Sequence, residues 1–175
     1  LETKKSNIIG ITGTHGVGKS YFAFEEALRQ KDLNPIAKIT LIEEQGILDN
    51  PFPINKRAQN ESQMWVMCAE MMQHFLNYAN KKIDLIITDR TIFDCIPYSM
   101  VNGLPFAKAL YDITKHFGYM YKKIYILDPR KRKYVFDNGI RSVDKNYRSE
   151  VHEKFIELFK RLKNNNYIKH YEVVG

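Results

Sequence analysis

Residues 8–20 read Ile-Ile-Gly-Ile-Thr-Gly-Thr-His-Gly-Val-Gly-Lys-Ser, or IIGITGTHGVGKS. The stretch from Asn7 to Gly13 suits a buried strand, and it runs into a glycine-rich turn closed by a Lys-Ser pair. Gly13, Gly16, Gly18, Lys19 and Ser20 satisfy G-x-x-x-x-G-K-[ST]. Glycines let such a backbone curl through φ > 0 so that successive N–H groups point inward, and a helix starting near Lys19 adds its positive dipole end. Four fixed positions match by chance in roughly one chain in two hundred of this length. A strand before the loop and a helix after it are the context the motif requires. The expected phosphate cradle is Gly13, Thr14, His15, Gly16, Val17, Gly18, Lys19 and Ser20. In it Lys19 reaches the β- and γ-phosphates of ATP and Ser20 ligates Mg²⁺. His15 sits at a free position of the motif and reads as a tolerated side chain.

Outward from the loop the chain alternates strands and helices. A helix is expected over Lys19–Lys31, with Tyr21, Phe24 and Leu28 on one face. Ala37–Glu43 reads as a second strand, and "QGILDNPFPIN" as a loop. A helix from about Ala58 to Asn80 carries Trp65, Cys68, Met72, Phe75 and Leu76 at helical spacing, and the methionines at 64, 67, 71 and 72 read as core filler. Ile83–Thr88 is a third strand, followed by helical stretches around 91–101 and 105–116. Lys123–Leu127 is a fourth strand, 144–163 an amphipathic helix, and Tyr167–Val174 a fifth strand. Apolar strands alternating with helices imply an α/β fold, a parallel sheet covered on both faces, with ligands at the carboxyl ends of the strands.

The chain of 175 residues fits one domain, 1–175, and at 44% hydrophobic it can bury a core. No apolar run approaches the length of a membrane span, and "LETKKSN" lacks a signal-peptide h-region. Two cysteines, Cys68 and Cys95, read as reduced, buried thiols, and a cytoplasmic location without membrane contact is expected. The net charge of +7 suits nucleotides or nucleic acid. Much of it lies in 122–148, either as a solvated face or as a phosphate-facing lid.

Two acidic spots stand at strand ends. Asp89, closing "LIITDR", is suited to hold Mg²⁺ or its water, or to cap the next helix. Glu43 and Glu44 end strand two, and since strand side chains alternate, one of them can face the crevice as a general base. Asp94 can pair with Arg90 at i,i+4. The guanine-reading N-K-x-D is missing: "NKRA" at 55–58 lacks the Asp, which argues against a regulatory GTPase.

"GTHGVGKS", a glutamate ending strand two, "PFPIN…ESQMW", "DRTIFDCIPY" and "DNGIRSVDKNYR" occur in that order. Together they resemble the P-loop nucleoside and nucleotide kinases. The branch most similar is that of AAA-labelled ATP-binding domains related to thymidylate kinases, deoxynucleoside kinases and the nicotinamide riboside kinase domain. The resemblance implies a sheet order of 2-3-1-4-5, ATP–Mg²⁺ on the loop, and an acceptor between strands two and three. It implies catalytic roles for Lys19, Glu44, Asp89, Arg90 and Arg141, with Arg141 stabilising the transferring phosphoryl group from a basic lid at about 130–148. Metal contacts fall to Ser20 and Asp89, and acceptor contacts to Glu43, Arg90, Asp94, Tyr98 and Arg148. The implied activity is ATP- and Mg²⁺-dependent phosphoryl transfer to a nucleoside monophosphate or nucleoside. Alternatives are a kinase of nucleic-acid 5′ ends, for which Tyr119, Tyr121 and Tyr125 beside Lys122 and Lys123 are the nearest binding platform, and a non-transferring ATPase module. The sequence leaves the oligomeric state open, a homodimer included.

Overall fold

The computed structural model describes residues 7–44, 49–131 and 144–175. Five strands form one sheet: β1 Ile8–Gly13, β2 Ile39–Ile42, β3 Leu85–Asp89, β4 Tyr121–Leu127 and β5 Tyr171–Val174. Their order is β2-β3-β1-β4-β5 and every pairing is parallel. Five α-helices are described: α1 Lys19–Leu33, α2 Asn60–Ala79, α3 Cys95–Val101, α4 Ala107–Thr114 and α5 Lys145–Asn164.

The period of two in the strands divides the core into two layers. Ile8, Ile86, Ile124 and Ile126 face a large cluster built with α2, α3, α4 and α5. Ile9, Ile11, Ile87, Tyr125 and Leu127 face a smaller one covered by α1 through Ala23, Phe22 and Ala27. The crossovers therefore share one hand, with α1 alone on one face, because β1 to β2 runs in the opposite direction across the sheet from the later crossovers. β1 lies between β3 and β4, so the loop after it opens where the strand order reverses, the place where such sheets bind ligands.

Several elements differ from the sequence expectation. Tyr21, Phe24 and Leu28 of α1 are exposed, and the buried face is Lys19, Ala23 and Glu26. A helix that must approach the sheet directly after a tight loop presents its small residues inward. In α2, Trp65, Cys68, Met72, Phe75 and Leu76 also face outward, and Ser62, Gln63, Val66, Met67, Glu70 and His74 are the buried set. Met67 is core and Met64 and Met71 pack against it, but Met72 is not filler. Cys68 is exposed rather than buried, while Cys95 is buried, and both thiols are free.

The inner face of α2 is polar because it meets a polar network. Tyr121 Oη accepts from the Ile92 N–H at 3.0 Å and lies 2.9 Å from His74 Nδ1. The hydroxyl has its own proton to give, which makes Nδ1 the acceptor and puts the imidazole proton on Nε2, 3.9 Å from Glu70 Oε2. Burial pushes His74 down to about 3, so it is neutral. α3 starts at Cys95 rather than near 91 because Asp94 Oδ1 captures both the Thr91 N–H and its hydroxyl in a local turn. β5 starts at Tyr171 rather than Tyr167 because the end of α5 claims Tyr167, whose N–H donates to Leu162 O after Asn166 at φ 60°.

Candidate active site

The turn after β1 has the geometry of an anion cradle. Gly18 is the N-cap of α1 in the left-handed region, φ 85°, which a side chain disfavours. At Gly13, with φ 137°, a Cβ would stand 2.9 Å from Leu127 O, so only glycine lets β1 pass β4 there. The first turn of α1 carries no acidic residue, leaving its amide groups and dipole for an anion. Lys19 is buried and its Nζ donates to Gly13 O and Thr14 O, both at 3.1 Å, so the ammonium arches over the loop. Burial pushes its pKa down to about 8; Arg90 adds to that, and Asp89, Glu44 and Asp94 oppose it. Those four charges therefore share one site with Lys19.

Asp89 ends β3 opposite the loop. Ser20 Oγ donates to its Oδ2 at 2.5 Å, and its Oδ1 is buried with no hydrogen-bond partner. A hydroxyl and a carboxylate side by side, with one carboxylate oxygen unsatisfied, fit Mg²⁺. That ion keeps most of its waters and takes phosphate oxygens rather than a full protein cage. Accordingly, no group of three or more His, Cys, Asp or Glu is clustered for a metal among the described residues. Asp89 caps no helix: the N-cap of α3 is Asp94.

Beyond Asp89 the backbone turns through Arg90 at φ 115°, a conformation that costs a non-glycine residue about 1–3 kcal/mol. Its N–H still donates to Ile11 O at 2.9 Å, extending the β1–β3 ladder. The side chain is buried against two carboxylates. Nε donates to Glu44 Oε1 at 2.5 Å, Nη2 pairs with the same oxygen, and Nη1 lies 3.5 Å from Asp94 Oδ2. Burial works against the Arg90 cation, but Glu44 and Asp94 outweigh it and hold it charged. Glu44 is thus drawn into the crevice, while its neighbour Glu43 is exposed and outside the cluster.

Asp94 is an internal strut. Its Oδ1 accepts from Thr12 Oγ1 at 2.6 Å as well as from Thr91, and the residue is almost fully buried. Burial raises its pKa against the pull of Arg90 and Lys19. Tyr98, on α3, has its hydroxyl engaged too. It accepts from the His15 N–H at 2.9 Å and lies 3.2 Å from His15 Nδ1. Burial pushes Tyr98 up to about 12. His15 is therefore not a loosely tolerated side chain: it is buried, with the Tyr98 and Tyr147 rings each 6.0 Å from its own. From the other side Arg148 Nε donates to His15 O at 3.1 Å. Arg148 Nη2 is buried and has no partner. Asp144 positions this end of α5 by accepting from the Asn146 and Tyr147 N–H groups at 2.8 and 3.2 Å.

The cluster thus gathers the loop residues, Glu44, Asp89, Arg90, Asp94, Tyr98 and Arg148, and leaves out Glu43. Arg141 and most of the 130–148 lid segment lie outside the described residues. Arg130, at the start of that segment, is tied to Asp128: Nε donates to Oδ1 at 2.9 Å and to Oδ2 at 3.2 Å, and Nη2 donates to Oδ2 at 2.6 Å. Thr12 and Thr91 were not anticipated as partners of Asp94, although the Thr91-x-x-Asp94 spacing signals a local turn. The packing of Tyr147 on His15 has no local signal, since the two are far apart in the chain. The tyrosine platform does not form: Tyr121 and Tyr125 are buried and Tyr119 alone of the three is exposed.

The family model described as an AAA domain matches residues 8–170. No curated protein sequence matches the chain. Among solved structures, deoxyadenosine kinase from M. mycoides, determined with products dCMP and a flexible dCDP bound, has a TM-score of 0.61 at 18% identity, covering 96% of this chain and 90% of that one. Thymidylate kinase from Ehrlichia chaffeensis has a TM-score of 0.63 at 15% identity, covering 98% of this chain and 90% of that one. At these identities the likeness is one of fold.

Proposed function

The chain belongs to the AAA domain family, and on that premise we propose that it is an ATP- and Mg²⁺-dependent phosphotransferase whose acceptor is a nucleoside monophosphate or a nucleoside. One observation carries this reading: Glu44, a strand-end carboxylate beside the Lys19 and Asp89 cluster, is oriented by buried Arg90. A loop that only binds ATP has no need of a carboxylate fixed there. The fold shared with a deoxyadenosine kinase and a thymidylate kinase supports the same class.

In the proposed reaction the loop amides and Lys19 hold the β- and γ-phosphates. Ser20 and Asp89 would hold Mg²⁺, which neutralises phosphate charge when bound. With a nucleoside acceptor, Glu44 takes the proton of its hydroxyl as that oxygen bonds to the γ-phosphorus; a monophosphate attacks through a phosphate oxygen that is already ionised and needs no base. The bond from the γ-phosphorus to the bridging oxygen breaks, and ADP leaves. Arg90 keeps Glu44 in place, and the unpartnered Nη2 of Arg148 supplies positive charge beside the loop. Such transfers depend on positioning and electrostatics. The nucleic-acid reading loses its aromatic support with Tyr121 and Tyr125 buried.

The test is ADP release in Mg-ATP with a panel of nucleosides, nucleoside monophosphates and 5′-hydroxyl oligonucleotides, with product mass read alongside. ADP formed only with nucleosides or monophosphates supports the proposal. ADP formed equally without any acceptor replaces it with an ATPase, and phosphorylated oligonucleotides replace it with a polynucleotide kinase.

A further inference from the structure

Three helices meet around a cleft that the phosphate site does not use. Ile96 and Met100 of α3, Ala107 and Tyr111 of α4, and Leu158 of α5 form its floor and walls, and its volume is about 220 Å³. The two faces of α3 serve different places. Tyr98, and Asp94 one turn before it, look to the crevice, whereas Ile96 and Met100, also one turn apart, look to the cleft. Ile96, Tyr111 and Leu158 are all buried, so the floor belongs to the core. Close-packed interiors leave few voids larger than a water molecule. An apolar concavity with a few polar groups at its mouth is the usual form of a small-molecule site.

The mouth sets the charge of the occupant. Lys108, Glu157 and Arg161 stand there. Lys108 Nζ is held by Asp112 Oδ2 at 2.5 Å, and Lys115 takes the other oxygen of that carboxylate at 2.7 Å. Glu157 Oε2 accepts from Lys154 at 2.7 Å. Asp112 and Glu157 are thus outnumbered by Lys108, Lys115, Lys154 and Arg161. The cation left over is Arg161, which pairs with no carboxylate among the described residues. Its guanidinium carbon lies 4.1 Å from the centre of the Tyr111 ring, so it rests on the aromatic wall of the cleft itself. A guanidinium matches a carboxylate through two parallel N–H···O bonds. Volume sets the apolar body. A dry cavity of about 150 Å³ takes one benzene, so this one takes about eight carbons. We propose that the cleft between α3, α4 and α5 binds a small amphipathic carboxylate, its apolar body on Ile96, Met100 and Leu158 and its anionic head on Arg161. The site shares no residue with the phosphate crevice, so it stands apart from the kinase reading.

Octanoate is the probe, with 1-octanol and octylammonium as its neutral and cationic counterparts of equal chain length. In the whole chain carrying isotopically methyl-labelled methionine, octanoate should shift the Met100 methyl resonance saturably. The resonance of Met72, exposed on α2, should stay where it is. Octanol should bind about tenfold more weakly, and octylammonium should not bind. Arg161→Gln, at an exposed position, should weaken octanoate by about tenfold and leave octanol within about twofold. Ala107→Phe fills the cleft and should abolish the Met100 shift, with circular dichroism checking that both variants fold. A Met100 resonance that octanoate does not move overturns the proposal. So does octanol that binds as tightly as octanoate, or an Arg161→Gln chain that binds octanoate as the parent does. An affinity for octanoate that falls as protein concentration rises puts a second copy in the cleft and overturns it too.

Discussion

Lys19 binds its anion from an unusual starting point. Burial pushes its pKa down to about 8, so in the free protein it loses its charge as pH rises through that value. A non-hydrolysable ATP analogue should therefore bind more weakly above about pH 8, measured by calorimetry. Lys19→Arg, whose charge does not titrate in this range, should lose that dependence. The sign for stability is opposite. The folded value lies below the ordinary 10.5, so the unfolded chain binds more protons between the two, and this group's contribution to stability rises from pH 8 to 10.5. At Glu44 the expectation is kinetic. With a nucleoside acceptor, Glu44→Gln should lower kcat by about 10²–10⁴-fold with ATP affinity unchanged, since it removes a base and not a phosphate contact. Most of this site was legible in the sequence: Lys19 and Ser20 from the loop motif at the start of α1, and Asp89 and the Glu43-Glu44 pair as acids at strand ends. The choice of Glu44 over Glu43 was not, because it rests on Arg90 turning back through a positive φ that no local signal announces.

Among the elements, strands were read more reliably than helix faces. Parallel strands buried on both sides are continuous apolar runs, visible without knowing what covers them. The periodicity of α1 and α2 was equally visible, but it did not say which face turns inward. In α1 the sheet takes Ala23 and leaves Tyr21, Phe24 and Leu28 outside; in α2 the core takes Glu70 and His74. Both reversals come from partners distant in sequence, the latter from Tyr121. Tyr121→Phe should cost about 1–3 kcal/mol, because it strands the buried Ile92 N–H and His74 Nδ1 at once. Urea unfolding midpoints measure it. A loss below a few tenths of a kcal/mol means the hydroxyl is not what secures the turn after β3.

For the whole molecule, the alternation of strands and helices gave a parallel sheet, and the kinase resemblance gave the order β2-β3-β1-β4-β5. That order sets the loop after β1 beside the ends of β3 and β4, and so makes one crevice of residues spread across the chain. If this crevice holds Mg-ATP, ligand at a hundred times its Kd stabilises the fold by about 2.7 kcal/mol, or roughly 5–10 °C for a chain of this size. Differential scanning fluorimetry should show that shift, and Asp89→Asn should reduce it by removing the carboxylate from the metal site.

The most direct measurement follows the γ-phosphoryl group itself. ATP labelled at the γ-phosphate is mixed in a single turnover with protein and the acceptor found active in the panel, and the label is divided between acceptor and inorganic phosphate. A phosphotransferase gives label on the acceptor, and where that acceptor is a nucleoside Glu44→Gln loses the product without diverting it to phosphate. Label appearing as inorganic phosphate at the same rate with or without acceptor contradicts transfer and leaves an ATPase.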